Sequence, residues 1–217
     1  MGNKNNICKR LVIYMTGLFI MTAGIAISVK SNLGVSPVSS IPYTITCVWG
    51  LEMGKATILF HLALVLLQVL LLRSRFKVKN LLQIIVGIVF GYFTTFCNWC
   101  AAFLPTPDHI VIRILMLLVS VLLIAIGIFF YLPANIMPLA GEGAMQAVSD
   151  VSGIPFAKVK VAFDCSMVAV SLITCLIILH SLGSVGIGTV IAAILVGITL
   201  GIITKWLGKW RDNLLQA

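Results

Sequence analysis

Long apolar runs alternate with short polar connections along almost the whole chain. Each run is close to the length of about 20 residues that a helix needs to cross the hydrocarbon core of a bilayer. The pattern therefore predicts an all-α membrane protein with six transmembrane helices. They are placed at residues 11–29, 57–72, 81–104, 112–132, 159–179 and 185–204.

The segment that follows the first apolar run has a different character. Residues 33–50 read LGVSPVSSIPYTITCVWG, with two prolines and no charged side chain. A second polar segment, PLAGEGAMQAVSDVSG at residues 138–153, follows the fourth run. Irregular backbone at membrane depth is tolerated only where protein covers it or where it lines a watery cavity. The paired polar segments 36–50 and 139–153 are therefore predicted to form a site.

The two polar segments occupy equivalent places in a chain that has the features of a duplication. A shift of 103 residues aligns identical residues, several of them of types that are scarce in membrane spans. The pairs are Arg10 and Arg113, Gly24 and Gly127, Asn32 and Asn135, Gly50 and Gly153, Lys55 and Lys158, and Phe60 and Phe163. We expect repeat 1 at residues 10–104 and repeat 2 at residues 113–206. Since each contains three spans, the second would enter the membrane from the opposite side, as inverted repeats do in many secondary transporters.

Helical spacing divides each polar segment into two faces. If residues 39–49 and 142–152 are short helices, spacings of three and four residues place the polar side chains on one face of each. These side chains are Ser39, Tyr43 and Thr46 in the first helix and Glu142, Gln146, Ser149 and Asp150 in the second. Because both helices keep a polar face, we expect these faces to line a cavity. The alternative is a pair of amphipathic loop helices at the membrane interface.

Three ionisable side chains, His61, Glu142 and Asp164, are candidates for carrying a coupled proton, because ionisable residues within spans are costly and usually functional. Each also has a structural interpretation. Glu142 would stabilise the N-terminus of its helix. Lys160, four residues before Asp164, would neutralise that carboxylate. A neutral His61 would form a hydrogen bond to a neighbouring helix.

Polar residues at helix ends complete the candidate site. Lys55 opens a helix on the side with few charges, where it would hold an anionic group or extend to the lipid headgroups. Asn32 and Asn135 end the first helix of each half, and would cap it or form hydrogen bonds in the cavity. The predicted solute-binding residues are Asn32, Ser39, Tyr43, Lys55, Asn135, Glu142, Gln146 and Asp150.

Two pairs of glycines lie at equivalent places in the last span of each half, if the second half carries an insertion of seven residues. They are Gly87 with Gly91 and Gly197 with Gly201. Small residues four apart allow close packing between membrane helices. We therefore predict a structural role for all four.

Composition excludes a soluble fold. Of the 217 residues, 60% are hydrophobic and 10% are charged, with a mean hydropathy of +1.14, whereas soluble domains carry about 25% charged residues. We expect a single integral membrane domain over residues 1–217. The first apolar run follows Lys9 and Arg10, but it is longer than the core of about 7–15 residues of a cleaved signal peptide. It is interpreted as an anchored helix.

The net charge of +9 is explained by its distribution. With the N-terminus in the cytoplasm, twelve Lys and Arg residues lie on the cytoplasmic side, and only Lys30, Lys55 and Arg113 lie outside. This bias follows the positive-inside rule and predicts that both termini are cytoplasmic. The charge therefore indicates topology in a lipid bilayer and no nucleic-acid partner.

Cys97 and Cys100 have the spacing of a redox motif, but the βαβ context of thioredoxin-like proteins is absent. Their interpretation as small apolar residues of a helix is favoured, and a redox role is left open.

Four strings of the sequence are distinctive: LGVSPVSSIPY at 33–43, GEG at 141–143, KVKVAFD at 158–164 and GTVIAA at 188–193. Together they resemble a family of bacterial membrane proteins labelled YczE/YyaS/YitT-like. The resemblance covers nearly the whole chain and implies a multi-pass protein of the bacterial inner membrane, without a substrate. Other branches look more like Gly-Pro-Trp-Asp where this chain has SPVS at 36–39, so an acidic residue is absent here.

These features predict a small-solute transporter or exporter whose halves rock around a site at the paired polar segments. The acidic face of the second segment favours a polar, cationic solute. One alternative is a substrate-binding subunit of a larger importer, with a partner ATPase because no Walker A pattern occurs. Another is a membrane scaffold or regulator that transports nothing. An enzyme and a cofactor are not expected, and assembly as a homodimer is left open.

Overall fold

The computed structural model describes residues 2–216, with side chains from Ile7 to Leu215. These residues form eight α-helices and no β-strand. They are α1 (Gly2–Ser31), α2 (Pro37–Trp49), α3 (Met53–Leu72), α4 (Leu82–Ala102), α5 (Ile110–Tyr131), α6 (Ala140–Ser152), α7 (Phe156–Leu179) and α8 (Ile187–Gln216). Met1, Ala217 and the side chain of Lys4, which the predicted domain and charge count include, lie outside the described residues.

Six of the helices are long and apolar enough to cross a membrane, which confirms the predicted all-α fold with six spans. The spans are Ile7–Ser31, Met53–Arg75, Val78–Ala102, Ile110–Tyr131, Phe156–Leu179 and Ile187–Leu215. The helices α2 and α6 have 13 residues each and are too short to span. They begin two residues before the predicted short helices and end at the predicted residues.

The helices α1 and α5 cross closely at the centre of the molecule. A Cβ atom on Gly24 of α1 would lie 2.9 Å from the Ser120 carbonyl oxygen, and one on Gly127 of α5 would lie 2.7 Å from the Gly17 carbonyl oxygen. Small residues therefore bring the two backbones together. Around this pair, α4 packs on α1, α8 packs on α5, α3 packs on α4 and α6, and α2 packs on α7.

The two ends of the described chain lie at the same end of the helix bundle. Leu214 of α8 lies beside Cys8 and Lys9 of α1. An even number of spans places both ends of a chain on the same side of a membrane. The cytoplasmic location of both termini stays a prediction.

Two arginines that stand 103 residues apart make reciprocal hydrogen bonds. Arg10 Nε donates to the carbonyl oxygen of Ala134 at 3.1 Å, and Arg113 Nε donates to that of Ser31 at 2.8 Å. Both donors and both acceptors are separated by 103 residues in the chain. Each arginine thus satisfies a backbone carbonyl that the end of a helix in the other half leaves without a helical partner.

Backbone conformations repeat at the same spacing. Asn32 and Asn135 follow α1 and α5 with φ of 52° and 50°. Gly50 and Gly153 end α2 and α6 with φ of 67° and 71°. Left-handed residues of this kind stop a helix and redirect the chain, and glycine adopts that conformation without a Cβ penalty.

One packing relation differs between the halves. α3 packs along α4, where a Cβ atom on Gly91 would lie 2.8 Å from the Gly54 carbonyl oxygen. In the described residues no comparable packing joins α7 and α8. A Cβ atom on Gly197 or Gly201 would have no neighbour within 4 Å. The predicted close packing is confirmed for Gly87 and Gly91 and is wrong for Gly197 and Gly201, because α8 packs on α5 and leaves its glycine face open.

Candidate functional site

A cavity of about 610 Å³ lies between the helices and contacts both short helices. The helices α1, α5 and α8 contribute only apolar residues to its lining, among them Met21, Ile25, Ile124, Ile128, Val196 and Leu200. All Asp, Glu, Lys and Arg side chains of the lining lie on α6 and α7. They are Glu142, Asp150, Lys160 and Asp164. The cavity therefore has one apolar wall and one wall that carries the charges.

The first turns of α2 and α6 both lie at this cavity. Pro37 stands at the start of α2, where a missing backbone N–H costs no helical hydrogen bond. Ser39, which is buried, lines the cavity and accepts a hydrogen bond from the Ser36 hydroxyl at 3.1 Å. Gly141 and Gly143 flank Glu142 in the first turn of α6 and also line the cavity. Residues from the first turns of two short helices thus line one space.

Glu142 is held by a residue of the preceding helix. The Tyr131 hydroxyl donates to Glu142 Oε2 at 2.6 Å and accepts a hydrogen bond from the Leu139 backbone N–H at 3.1 Å. Tyr131 is buried at 1% exposure, so its position is set by packing. The contact fixes one oxygen of the Glu142 carboxylate, which has no ion-pair partner among the described residues.

The other charged residues of the cavity form two local pairs. Gln146 Nε2 donates to Asp150 Oδ1 at 2.7 Å, four residues along α6. Lys160 Nζ lies 2.7 Å from Asp164 Oδ2, so the ion pair expected from their spacing is present. Asp164 Oδ1 is buried and has no hydrogen-bond partner among the described residues.

His61 is buried at 4% exposure and lines the cavity from α3. Its ring stacks on Phe90, with centroids 5.6 Å apart and an angle of 12° between the planes. Nδ1 has no hydrogen-bond partner among the described residues. The predicted bond of a neutral His61 to a neighbouring helix is therefore absent at this nitrogen. The Thr57 hydroxyl, one turn before His61, donates its hydrogen bond to the Met53 carbonyl oxygen at 2.7 Å.

The structure brings six of the predicted site residues to the cavity. These are Ser39, His61, Glu142, Gln146, Asp150 and Asp164.

Four predicted residues lie outside the cavity. Asn32 and Asn135 are exposed, because their left-handed backbone places them in the turns that follow α1 and α5. Lys55 is exposed, and its Nζ lies 3.6 Å from Oε2 of Glu52, three residues earlier. The spacing of these two residues in the sequence could have indicated this ion pair. Tyr43 packs against the apolar core, since only the beginning of α2 reaches the cavity.

Two buried amides of the lining were not predicted. Gln68 Nε2 donates to Gln83 Oε1 at 2.8 Å and to the Ala140 carbonyl oxygen at 3.3 Å, and thereby connects α3, α4 and α6. Both glutamines are at most 2% exposed. A Cβ atom on Gly143 would lie 2.6 Å from Gln83 Nε2, so a larger residue at this position would displace the paired amides. The sequence does offer one signal for these two residues, since each of two consecutive apolar spans carries an uncharged amide side chain close to one of its ends.

The six cysteines are all free. Cys97 is buried, with its sulfur 3.4 Å from the Thr22 hydroxyl, whereas Cys100 is exposed. Among the residues that the structure describes, no three His, Cys, Asp or Glu side chains are arranged to hold a metal ion.

Comparison with known proteins connects the chain to membrane proteins. A family model described as a family of unknown function (DUF6198) matches residues 8–205. The chain is 25% identical over 199 residues to the uncharacterized membrane protein YczE of Bacillus subtilis, which covers 91% of this chain and 86% of that protein. No solved structure matches. With its six apolar helices, the chain is a multi-pass membrane protein that belongs to the DUF6198 family.

Proposed function

We propose that this protein is a small-solute transporter or exporter whose binding site is the cavity between α2 and α6. The observation that carries the proposal is the position of this cavity. It lies among membrane-spanning helices, receives the first turns of two short helices and contains three carboxylates. Charged groups are costly inside a membrane domain and usually mark a pathway for ions or solutes. A volume of about 610 Å³ falls within the range of small-molecule sites.

The proposal includes two inverted repeats, residues 10–104 and 113–206. The reciprocal bonds of Arg10 and Arg113 and the matching turns at Asn32 and Asn135 support it. Inverted repeats place a solute site near the midplane, at short or broken helices in equivalent positions of the two halves. The helices α2 and α6 would occupy such positions in this arrangement.

The difference between the halves supports a rocking movement. In the described residues α3 packs on α4, whereas no comparable packing joins α7 and α8. We infer that the cavity is closed beside α3 and α4 and accessible between α7 and α8. In the second state, α7 and α8 would pack and α3 and α4 would separate. Exchange between these arrangements would expose the cavity to each side of the membrane in turn.

Glu142, His61 and Asp164 are the candidates for carrying a coupled proton. Glu142 and Asp164 line the cavity with His61, and the Asp164 carboxylate is already paired with Lys160. We therefore place Glu142 first among the three, because it has no cationic partner in the described residues.

A thermal-unfolding screen of the purified protein tests the proposal. The panel contains amines, amino acids, organic acids, nucleosides and vitamins. A ligand at a hundred times its dissociation constant should stabilise the protein by about 2.7 kcal/mol. We expect at least one compound to stabilise the protein and to lose this effect in Glu142→Gln. Glu52→Gln is the matched control, because Glu52 is exposed and lies outside the cavity.

Uptake of the compound into proteoliposomes then separates transport from binding alone. Flux that depends on the protein and falls in Glu142→Gln supports the proposal. A panel without any stabilising compound, in a protein that unfolds cooperatively, contradicts it and favours the scaffold interpretation. A compound that binds but is never transported contradicts the transport part.

A further inference from the structure

We infer that the cavity binds an amphipathic organic cation, with its ammonium group at Glu142 and its apolar body against α1, α5 and α8. This inference rests on the proposed function, and it replaces the small polar solute expected from the sequence with a ligand that has an apolar part.

The distribution of charge at the cavity carries the cationic part of the inference. The lining contains three carboxylates, Glu142, Asp150 and Asp164, and a single ammonium group, Lys160. Lys160 is paired with Asp164 at 2.7 Å. Glu142 and Asp150 accept hydrogen bonds from Tyr131 and Gln146, which are neutral donors. Asp150 is exposed to solvent, whereas Glu142 is half-buried and has no ion-pair partner among the described residues. A cationic ligand would therefore compensate the charge of Glu142.

A buried atom without a partner gives an independent reason to expect a ligand. Asp164 lines the cavity, and its Oδ1 is buried and has no hydrogen-bond partner among the described residues. Buried polar groups in folded proteins nearly always have a partner. A carboxylate oxygen accepts a hydrogen bond, and an ammonium group donates one. The unpartnered Nδ1 of His61 adds nothing to this reason, because it lies against α4, where a Cβ atom on Gly87 would stand 2.9 Å from it.

The apolar wall carries the amphipathic part of the inference. The lining residues from α1, α5 and α8 are all apolar, and those from α1 and α5 include Met21, Ile25, Ile124 and Ile128. A fully hydrated polar solute would gain nothing from this wall. An alkyl or aryl group would bury apolar surface there, which is favourable by about 25 cal/mol for each Å².

Four analogues test the inference by isothermal titration calorimetry on the protein in lipid nanodiscs. 4-Phenylbutylamine carries both the ammonium and the apolar group. 4-Phenylbutanol lacks the charge, butylamine lacks the aryl group, and 5-phenylvalerate has the opposite charge. We expect 4-phenylbutylamine to bind at least about tenfold more tightly than each of the other three. Empty nanodiscs correct for partition of the probes into lipid.

Variants locate the two ends of the ligand. Glu142→Gln should weaken 4-phenylbutylamine about tenfold while it keeps an oxygen acceptor for Tyr131, and Glu52→Gln should change nothing. Val196→Thr should weaken 4-phenylbutylamine but not butylamine, because it makes the apolar wall polar at nearly constant volume. Unchanged affinity in both Glu142→Gln and Asp150→Asn would overturn the ionic contact.

The outcomes separate failure of the inference from failure of the proposed function. Equal affinity for the alcohol overturns the cationic part, and equal affinity for butylamine overturns the amphipathic part. If none of the four analogues binds while another compound of the wider panel binds and is transported, the inference is wrong and the transporter stands. If no compound of either set binds, the proposed function fails as well.

Discussion

At the scale of single residues, Tyr131 connects the apolar core with the charged wall of the cavity. Its ring lies 5.6 Å from that of Tyr14, and its hydroxyl bonds to Glu142 and to the Leu139 backbone. Glu142 was predicted as a site residue because it is ionisable and lies on the polar face of a short helix. Its partner could not be predicted, since Tyr131 lies eleven residues earlier and its direction depends on how α5 ends and α6 begins.

Replacement of Tyr131 by phenylalanine should destabilise the protein by about 1–3 kcal/mol, because the buried Leu139 N–H would lose its acceptor. Affinity for the solute should change too, since one oxygen of Glu142 would be released. Thermal unfolding and titration with a ligand from the screen measure the two effects. Tyr92→Phe is the matched control, because Tyr92 is 67% exposed on α4. Equal stability of the two variants would show that the Tyr131 hydroxyl is dispensable.

At the scale of helices, glycines with equivalent positions have different surroundings. Gly91 of α4 lies against Gly54 and Ile58 of α3, and a Cβ atom there would overlap Ile58. Gly201 of α8 has open space at the same place. The sequence predicts one role for both, because spacing alone indicates a small-residue face. Whether such a face is occupied depends on the position of the neighbouring helix.

Gly91→Ala should therefore destabilise the protein by about 1–3 kcal/mol through overpacking, and Gly201→Ala should cause no loss. Thermal unfolding of the two variants measures this difference. In the flux assay, Gly201→Ala should reduce transport in spite of normal stability, because the added methyl group would obstruct the packing of α7 on α8. Normal stability of Gly91→Ala would contradict the tight contact between α3 and α4.

At the scale of the whole molecule, the two halves of the chain differ in how their last two long helices pack. The helices α3 and α4 pack along each other, and α7 and α8 do not. The apolar wall of the cavity comes from α1, α5 and α8, so two of its three helices belong to the second half. A movement of α8 relative to α7 would therefore change the shape of the cavity and its access at once.

A disulfide cross-link can detect this movement. Ala157 and Gly201 stand 103 and 110 residues after Gly54 and Gly91, which are in contact. Cysteines at 157 and 201, in a chain whose six native cysteines are replaced, should cross-link under mild oxidation whenever α7 and α8 close, since a disulfide needs Cα atoms about 4.4–6.8 Å apart. Gel mobility after cleavage between the two positions measures the cross-linked fraction.

A bound solute should change the rate of this cross-link. The control pair places the second cysteine at Ile202, which points about 100° away from Gly201 around α8. Equal rates for the two pairs would mean that α7 and α8 do not close in the proposed way.

Local pattern determined much of this protein. The number of spans, the places of α2 and α6 and the pairing of Lys160 with Asp164 follow from run length, prolines and helical spacing, which act between near neighbours in the chain. Tertiary structure alone decided which polar residues meet. It brought Gln68, Gln83 and the Ala140 carbonyl together, and it left Asn32, Tyr43, Lys55 and Asn135 outside the cavity. These outcomes depend on the rotation of each helix about its axis and on partners far away in the sequence, which periodicity does not specify.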